Sequence, residues 1–309
     1  MSKVAVLGSI NIDLVVRCSK RPKPGETVFG SNHQIIPGGK GGNKAYAAAQ
    51  LGADVSLLGC IGTDSLGDIT VKSLEKVGVN LSAVERNDQI PTGAAFITLD
   101  EQGENTIVYS PSANNEVNPS YIRAQEELIS NSDIIISNCE VPLESVEELI
   151  RLANKHTVKT MLNLAPCMPI PDNSAVWDAT ILVANEIEGA YYTGVSINTR
   201  EDALKAANKL LEHGIEIAII TLGGDGSVAA SEGTTYVSSA IKTDVVDTTA
   251  AGDTYIGAFG VEWTRSGNIQ AAMDFSSCAS GLAVSKLGAQ SSIPSEAAVR
   301  RLLEEQQKI

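Results

Sequence analysis

A carboxylate beside consecutive small residues at the start of a helix has the makings of a phosphoryl-transfer site, and Asp247-Thr248-Thr249-Ala250-Ala251-Gly252-Asp253-Thr254 has that composition. The backbone amides of Ala250, Ala251 and Gly252, followed by a small-residue helix from about Tyr255 to Arg265, form a pocket for negative charge. Asp253 puts a carboxylate into the same first turn. The two features conflict unless a proton or a cation mediates. A carboxylate that accepts a proton from a hydroxyl nucleophile, beside amides that stabilise a transferring phosphoryl group, removes the conflict. The plain alternative is that Asp253 only complements the helix dipole.

The densest glycine cluster is Pro37-Gly38-Gly39-Lys40-Gly41-Gly42-Asn43-Lys44-Ala45, which the spacing places ahead of a helix over Ala45–Leu51, closed by Gly52. Glycines let amides approach a ligand, and the helix start adds unsatisfied N–H donors, so a polar or anionic ligand is invited. Lys40 is followed by glycine rather than Ser or Thr, so this is neither a phosphate-binding P-loop nor a G-x-G-x-x-G turn. A tight turn feeding a closely packed helix would use the same residues. Near the amino terminus, Asn11 and Asp13 share one face of an extended segment, where an amide and a carboxylate can hold vicinal hydroxyls, or simply form a turn. Asn185-Glu186-Ile187-Glu188 and Thr221-Leu222-Gly223-Gly224-Asp225-Gly226 each follow an expected strand, the usual ligand-binding position in open α/β sheets, although caps and turns have the same composition.

These groups need a frame. Strands are expected at Val4–Leu7, Val55–Gly59, Ile134–Ser137, Thr160–Asn163, Ile181–Ala184 and Ala218–Leu222. Between them lie helical patterns: one after Asp64 towards Val77, one over Pro142–His156, and one over Thr199–His213 with Gly214 beyond. The alternation predicts an α/β fold, a mostly parallel central sheet with helices on both faces. Two stretches break the rhythm. Leu14–Gly38 carries extended pieces and turn residues, including Arg21 and Lys23, read as solvated turn charges. Thr92–Asn114 reads as a hairpin, Ala94–Leu99 and Thr106–Tyr109, joined by Asp100-Glu101-Gln102-Gly103. Paired with each other they would make a small β-sheet lid; the alternative is edge strands on the main sheet. The expected division is a body of 1–13, 39–91 and 115–309 and a lid of 14–38 and 92–114.

Composition narrows the function. Among 309 residues, Lys plus Arg number 23 and Asp plus Glu 37, a formal charge of -14 that disfavours nucleic acid as a partner. Cys18, Cys60, Cys139, Cys167 and Cys278 are scattered, and His33, His156 and His213 are the only histidines, so neither a disulfide framework nor a structural zinc site is expected. No signal peptide or membrane span is read, which leads to an expected cytoplasmic location.

In combination and order, the Asn-x-Asp segment, Gly38–Asn43, Glu140 in Cys139-Glu140-Val141-Pro142, Asn163-Leu164-Ala165-Pro166, Asn185–Glu188, Thr221–Gly226, Asp247–Asp253 and Gly288-Ala289-Gln290 resemble the ribokinase branch of the carbohydrate and nucleoside kinase family that includes the minor bacterial phosphofructokinase. The likeness spans essentially the whole chain. It implies Mg-ATP-dependent phosphorylation of D-ribose at its 5-hydroxyl. Asn11, Ile12, Asp13, Gly39, Lys40, Gly41, Gly42, Asn43 and Glu140 match the sugar pocket, with Asp253 as general base and the amides of Ala250, Ala251 and Gly252 as anion hole. Asn185, Thr221, Leu222, Gly223, Gly224, Asp225, Gly226, Gly252, Asp253 and, by position, Ser277 match ATP contacts. Glu188 matches the carboxylate that organises Mg²⁺ through water. Asp247, Thr249, Ala283, Lys286, Gly288 and Ser292 match the loops that hold K⁺. A homodimer through the lid sheets is implied as well.

Gly42 and Lys44 stand where the family commonly has Ala and Gln, and Leu164 where proline is frequent; none of these removes a group the chemistry needs. Within the same family, 2-deoxyribose, another sugar or a nucleoside are the alternative acceptors. A sugar-binding sensor without catalysis is the reading from another class, and it is opposed by the presence of both Asp253 and Gly252.

Overall fold

The computed structural model describes residues 1–102 and 104–306. Gly103, the last residue of the expected hairpin turn, lies outside the described residues.

Strands β1 (Lys3–Leu7), β2 (Asn11–Arg17), β3 (Gln34–Gly38), β4 (Asp54–Gly62), β5 (Val84–Asn87), β6 (Gly93–Leu99) and β7 (Asn105–Ser110) come first along the chain. They are followed by β8 (Ile134–Asn138), β9 (Lys159–Asn163), β10 (Ile181–Asn185), β11 (Ile217–Thr221), β12 (Ser227–Ser231) and β13 (Thr234–Ser238). Nine of them form one sheet in the order β13-β12-β11-β10-β9-β8-β1-β4-β5. It is parallel apart from β12 and β13, which turn back antiparallel at one edge. Side chains alternate between its faces, as strand geometry requires. Val4 and Val6 of β1 join one apolar cluster, with Val55, Leu57, Ile134 and Ile136. Ala5 and Leu7 join the other, with Leu58 and Ile135.

Helices cover both faces: α1 (Lys40–Gln50), α2 (Ser65–Glu75), α3 (Pro119–Ala124), α4 (Glu126–Ser130), α5 (Leu143–Lys155), α6 (Glu186–Thr193), α7 (Arg200–Leu211), α8 (Ala251–Ser266), α9 (Ile269–Val284) and α10 (Glu296–Gln306). Ala45 and Ala48 of α1 and Ile256 and Phe259 of α8 pack on the first cluster; Val146 and Leu149 of α5 and Ala203 and Ala206 of α7 pack on the second. Among the described residues, no helix is long and apolar enough to cross a membrane.

The two stretches without helical period do pair with each other. They form a separate four-stranded sheet, β3-β2-β6-β7, in which β2 and β6 run parallel and the outer pairs antiparallel. Edge strands on the main sheet are thereby ruled out. The expected boundary after residue 13 cuts β2, which already begins at Asn11. One row across this sheet, Ile35, Leu14, Phe96 and Val108, is wholly apolar, and three of its members are exposed: Ile35 by 42%, Phe96 by 51% and Val108 by 63%.

Other expectations need correction. α1 begins at Lys40, five residues before Ala45, so the glycine cluster is the helix's own first turn rather than a loop ahead of it. α8 likewise begins at Ala251 rather than Tyr255. In both, glycine and alanine have room at a close crossing where bulkier residues would not fit. Strands β5, β12 and β13 carry too little apolar pattern to be read, since they lie at or beside the sheet edges. Arg21 is not simply a solvated turn charge: its Nε lies 3.1 Å from Oδ2 of buried Asp100.

Candidate active site

Parallel strands place their carboxyl ends along one edge, so the segments leaving β1, β8, β10 and β11 gather there. They carry Gly8–Ile10, Glu140, Asn185–Glu188 and Leu222–Gly226. The chain turns from β1 into β2 over Ser9, and α1 docks on that turn. Gly39 sits at φ 86°, and a Cβ there would lie 2.6 Å from the Ser9 carbonyl oxygen. A Cβ on Gly41 would lie 2.5 Å from the Gly8 carbonyl carbon. The amide of Gly42 donates to the Ser9 oxygen at 3.0 Å. Glycine is needed because backbone meets backbone.

This docking fixes the expected sugar pocket. Asn11 and Asp13 stand on one face of β2. The Asn11 Oδ1 accepts from Asn114 Nδ2 at 2.7 Å, and Asn114 Oδ1 accepts the Ile10 amide at 2.9 Å. Ile12, on the opposite face, is fully buried, so its side chain belongs to the core. Glu140 accepts from Ser9 Oγ at 2.5 Å and lies 3.6 Å from the Lys40 ammonium. Burial, with the charges of Glu140 and Asp253, pushes the Asp13 carboxyl up to about 6 against the opposing pull of Lys40.

Asp253 is held from α1 on both oxygens. Lys44 Nζ donates to Oδ1 at 2.6 Å, and Asn43 Nδ2 donates to Oδ2 at 3.0 Å. Burial disfavours the carboxylate, but the charges of Lys44 and Lys40 and these two hydrogen bonds outweigh it and hold the carboxyl below its ordinary range. Burial also pulls the Lys44 amine below an ordinary lysine, against the attraction of Asp253. Around the carboxylate, Ala251 gives its amide to the Thr248 carbonyl at 3.2 Å. The amides of Gly252 and Asp253 find no backbone acceptor among the described residues, as the first turn of a helix leaves them. The anion-binding capacity expected of Ala250 to Asp253 therefore falls chiefly on these two.

The expected nucleotide end is looser. Asn185 and Glu188 cap α6 reciprocally: Glu188 donates its amide to Asn185 Oδ1 at 2.8 Å, and Asn185 donates its amide to Glu188 Oε2 at 2.9 Å. Burial raises the Glu188 carboxyl against hydrogen bonding and the charges of Lys40 and Lys44. Thr221 ends β11, Leu222 is buried, and Gly223–Asp225 make a short turn closed by the Leu222 amide on the Gly226 oxygen at 2.8 Å. Added Cβ atoms at Gly224 and Gly252 would meet nothing within 4 Å, so both face open space. Ser277 is buried in α9 with its hydroxyl 2.9 Å from Ser238 Oγ.

Of the cation-loop residues, Asp247, Thr249 and Gly288 are tied together by hydrogen bonds. Asp247 Oδ1 accepts the Thr249 amide at 2.9 Å and its hydroxyl at 2.6 Å, while Oδ2 accepts the Gly288 amide at 2.9 Å. The amides of Val246 and Asp247 both donate to Val284, one residue after Ala283, and Ser292 is fully buried with its hydroxyl on the Ala289 oxygen. Asp247 remains ionised because the Thr249 and Gly288 bonds and the Arg17 charge overcome its burial.

Two participants escape sequence reasoning. Asn114 reaches Asn11 from 103 positions away, and no local pattern marks it. Lys44 had a signal: a lysine among Ala45, Ala47 and Ala48, on the face of a helix that must be buried.

The chain matches the model of the pfkB family carbohydrate kinases over residues 1–296. It is 37% identical over 301 residues to a ribokinase of Haemophilus influenzae, covering 97% of this chain and 98% of that one. It is 40% identical over 305 residues to a ribokinase of Schizosaccharomyces pombe, covering 96% of each. The structure of Arabidopsis thaliana ribokinase complexed with ribose and ATP superimposes with a TM-score of 0.93 at 30% identity, covering 98% of this chain and 99% of that one.

Proposed function

The chain belongs to the pfkB family of carbohydrate kinases, and we propose that it transfers the γ-phosphoryl group of ATP to the 5-hydroxyl of D-ribose, giving D-ribose 5-phosphate and ADP. The observation that carries this reading is Asp253, a carboxylate kept ionised at the first turn of α8 beside the free amides of Gly252 and Asp253. Asp253 takes the proton as the sugar oxygen bonds to the γ-phosphorus. The bond to ADP breaks, its electron pair leaves with ADP, and the two amides meet the charge on the phosphoryl oxygens. Asn11, Asp13 and Glu140, with the first turn of α1, hold the sugar; Asn185, Glu188 and Thr221–Gly226 line the nucleotide end.

Two cations complete the proposal. Glu188, with one carboxylate oxygen on the Asn185 amide, suits a water-mediated hold on Mg²⁺, which supplies charge neutralisation at the phosphates. The linked loops of Asp247, Thr249, Ala283, Lys286, Gly288 and Ser292 offer a carboxylate and main-chain carbonyls, hard oxygen donors that suit K⁺. Bound there, K⁺ would shape the loops without touching substrate. The small sheet acts as a lid over the sugar and, through its exposed apolar row, as the contact of a homodimer. The protein is placed in the cytoplasm, where its thiols remain reduced.

An assay of ADP release with D-ribose, 2-deoxyribose, fructose, fructose 6-phosphate and adenosine, each with and without K⁺, tests this. The highest kcat/KM is expected for D-ribose, with stimulation by K⁺. A higher value for another acceptor overturns the sugar assignment, and sugar binding without turnover overturns the kinase.

A further inference from the structure

We infer that Lys44 is a positioning residue for phosphoryl transfer, its buried ammonium fixing Asp253 so that the carboxylate works as one half of an ion pair. The inference rests on Asp253 being the base.

Lys44 is fully buried, and the Asp253 carboxylate at 2.6 Å is its one ionic partner within salt-bridge distance among the described residues. Stability does not explain such a residue. Burying an ion pair recovers little net free energy, because desolvation offsets the attraction. Lys44 also lies in the second turn of α1, near the positive end of the helix dipole, where a cation is disfavoured. A neutral amide would satisfy Oδ1 as a donor; an ammonium adds charge.

That charge has two consequences for the reaction. With Asn43 on Oδ2 and Lys44 on Oδ1, the carboxylate is restrained at both oxygens, and its remaining lone pairs are directed by α1. When Asp253 takes the sugar proton, the pair changes from neutral to a net positive charge beside the transferring phosphoryl group, where negative charge must be stabilised. The cost is a weaker base.

The other charges around Asp253 come from each neighbouring element: Lys40 of α1, Asp13 of β2, Glu140 beyond β8 and Glu188 of α6. β8 itself has none. The one charged residue of α9, Asp274, is engaged with Ser238 and Gln270. Lys44 is the only cation in direct contact with the carboxylate among the described residues.

The test is the pH dependence of kcat at saturating ribose and ATP for the intact protein, Lys44→Gln and Lys44→Met, with Asp253→Asn as reference. Lys44→Met is expected to lose roughly 10- to 100-fold in kcat through misplacement of the base, whereas Lys44→Gln, which keeps a donor to Oδ1 and is the residue common at this position in the family, should lose less than about 10-fold. Their acid limb should rise by about one to three pH units, because the opposite charge is gone, while KM for ATP stays near its original value. Unchanged kcat and an unmoved acid limb in both variants overturn the inference, whereas full turnover by Asp253→Asn overturns the base itself. Should neither Lys44 variant fold, the unaltered protein decides. A kcat that holds from neutrality to about pH 5 supports the pair; an acid limb near pH 6 or above contradicts it.

Discussion

The two ends of the cleft are built differently. At the sugar end, three of the polar groups expected to meet substrate are already held by protein: Asn11 by Asn114, Glu140 by Ser9, and Asp253 by Asn43 and Lys44. At the nucleotide end, Gly224 and Gly252 face open space, and the cation loops expose large apolar side chains, Val245 by 65% and Leu287 by 60%. A base must be placed to a fraction of an ångström to be effective, so its surroundings are assembled before substrate arrives. A nucleotide brings many contacts of its own and can organise a looser surface.

The contrast can be broken most forcefully at Gly41. A methyl there would strike the backbone of Gly8, which cannot move without shifting β1, so Gly41→Ala should destabilise the protein by about 1–3 kcal/mol. Thermal and urea unfolding check this, and a stability unchanged from the parent would mean that the sugar end is not close-packed. Asn11→Ala comes next. It removes an acceptor from the fully buried Asn114, an unmade hydrogen bond that costs about 1–3 kcal/mol, and it should also raise KM for ribose but not for ATP.

Asp13 sharpens the comparison through pH. Its carboxyl titrates at about 6 when folded and near 3.8 when unfolded. Between those values the folded chain holds a proton that the unfolded chain has released. Stability from this group is therefore present at low pH and lost as pH rises through 6, and the ionised side chain is destabilising at neutrality. Asp13→Asn should melt at higher temperature than the parent at pH 7.5 while binding ribose less well. In the parent, kcat/KM for ribose should decline below about pH 6 as Asp13 protonates, and a flat profile would show that its ionised form is not the binding form. The smallest effect belongs to the other end: Gly224→Ala adds a methyl into open space, so stability should stay within about 0.5 kcal/mol, and any change should appear in KM for ATP.

Much of this architecture was legible because it is local. Apolar runs of β-branched residues announced the parallel strands, and two runs of small residues announced that helices α1 and α8 follow, though not where they begin. What escaped was non-local. Helix α1 begins at Lys40 because Gly41 packs on Gly8, and nothing in the run of glycines says so. Asn114 is tied to Asn11 only because the hairpin carrying β6 folds beside β2. Lys44, noted in sequence as a departure that removes nothing, adds a charge whose significance depends on a carboxylate 209 positions away.

The central claim is that Asp253 removes the proton from the sugar hydroxyl. Single-turnover transfer from ATP to D-ribose by Asp253→Asn, with ATP binding measured calorimetrically on the same preparation, tests it most directly. The account predicts a folded variant that binds ATP normally and transfers phosphate about 10²- to 10⁴-fold more slowly. Transfer at the parent rate would contradict it.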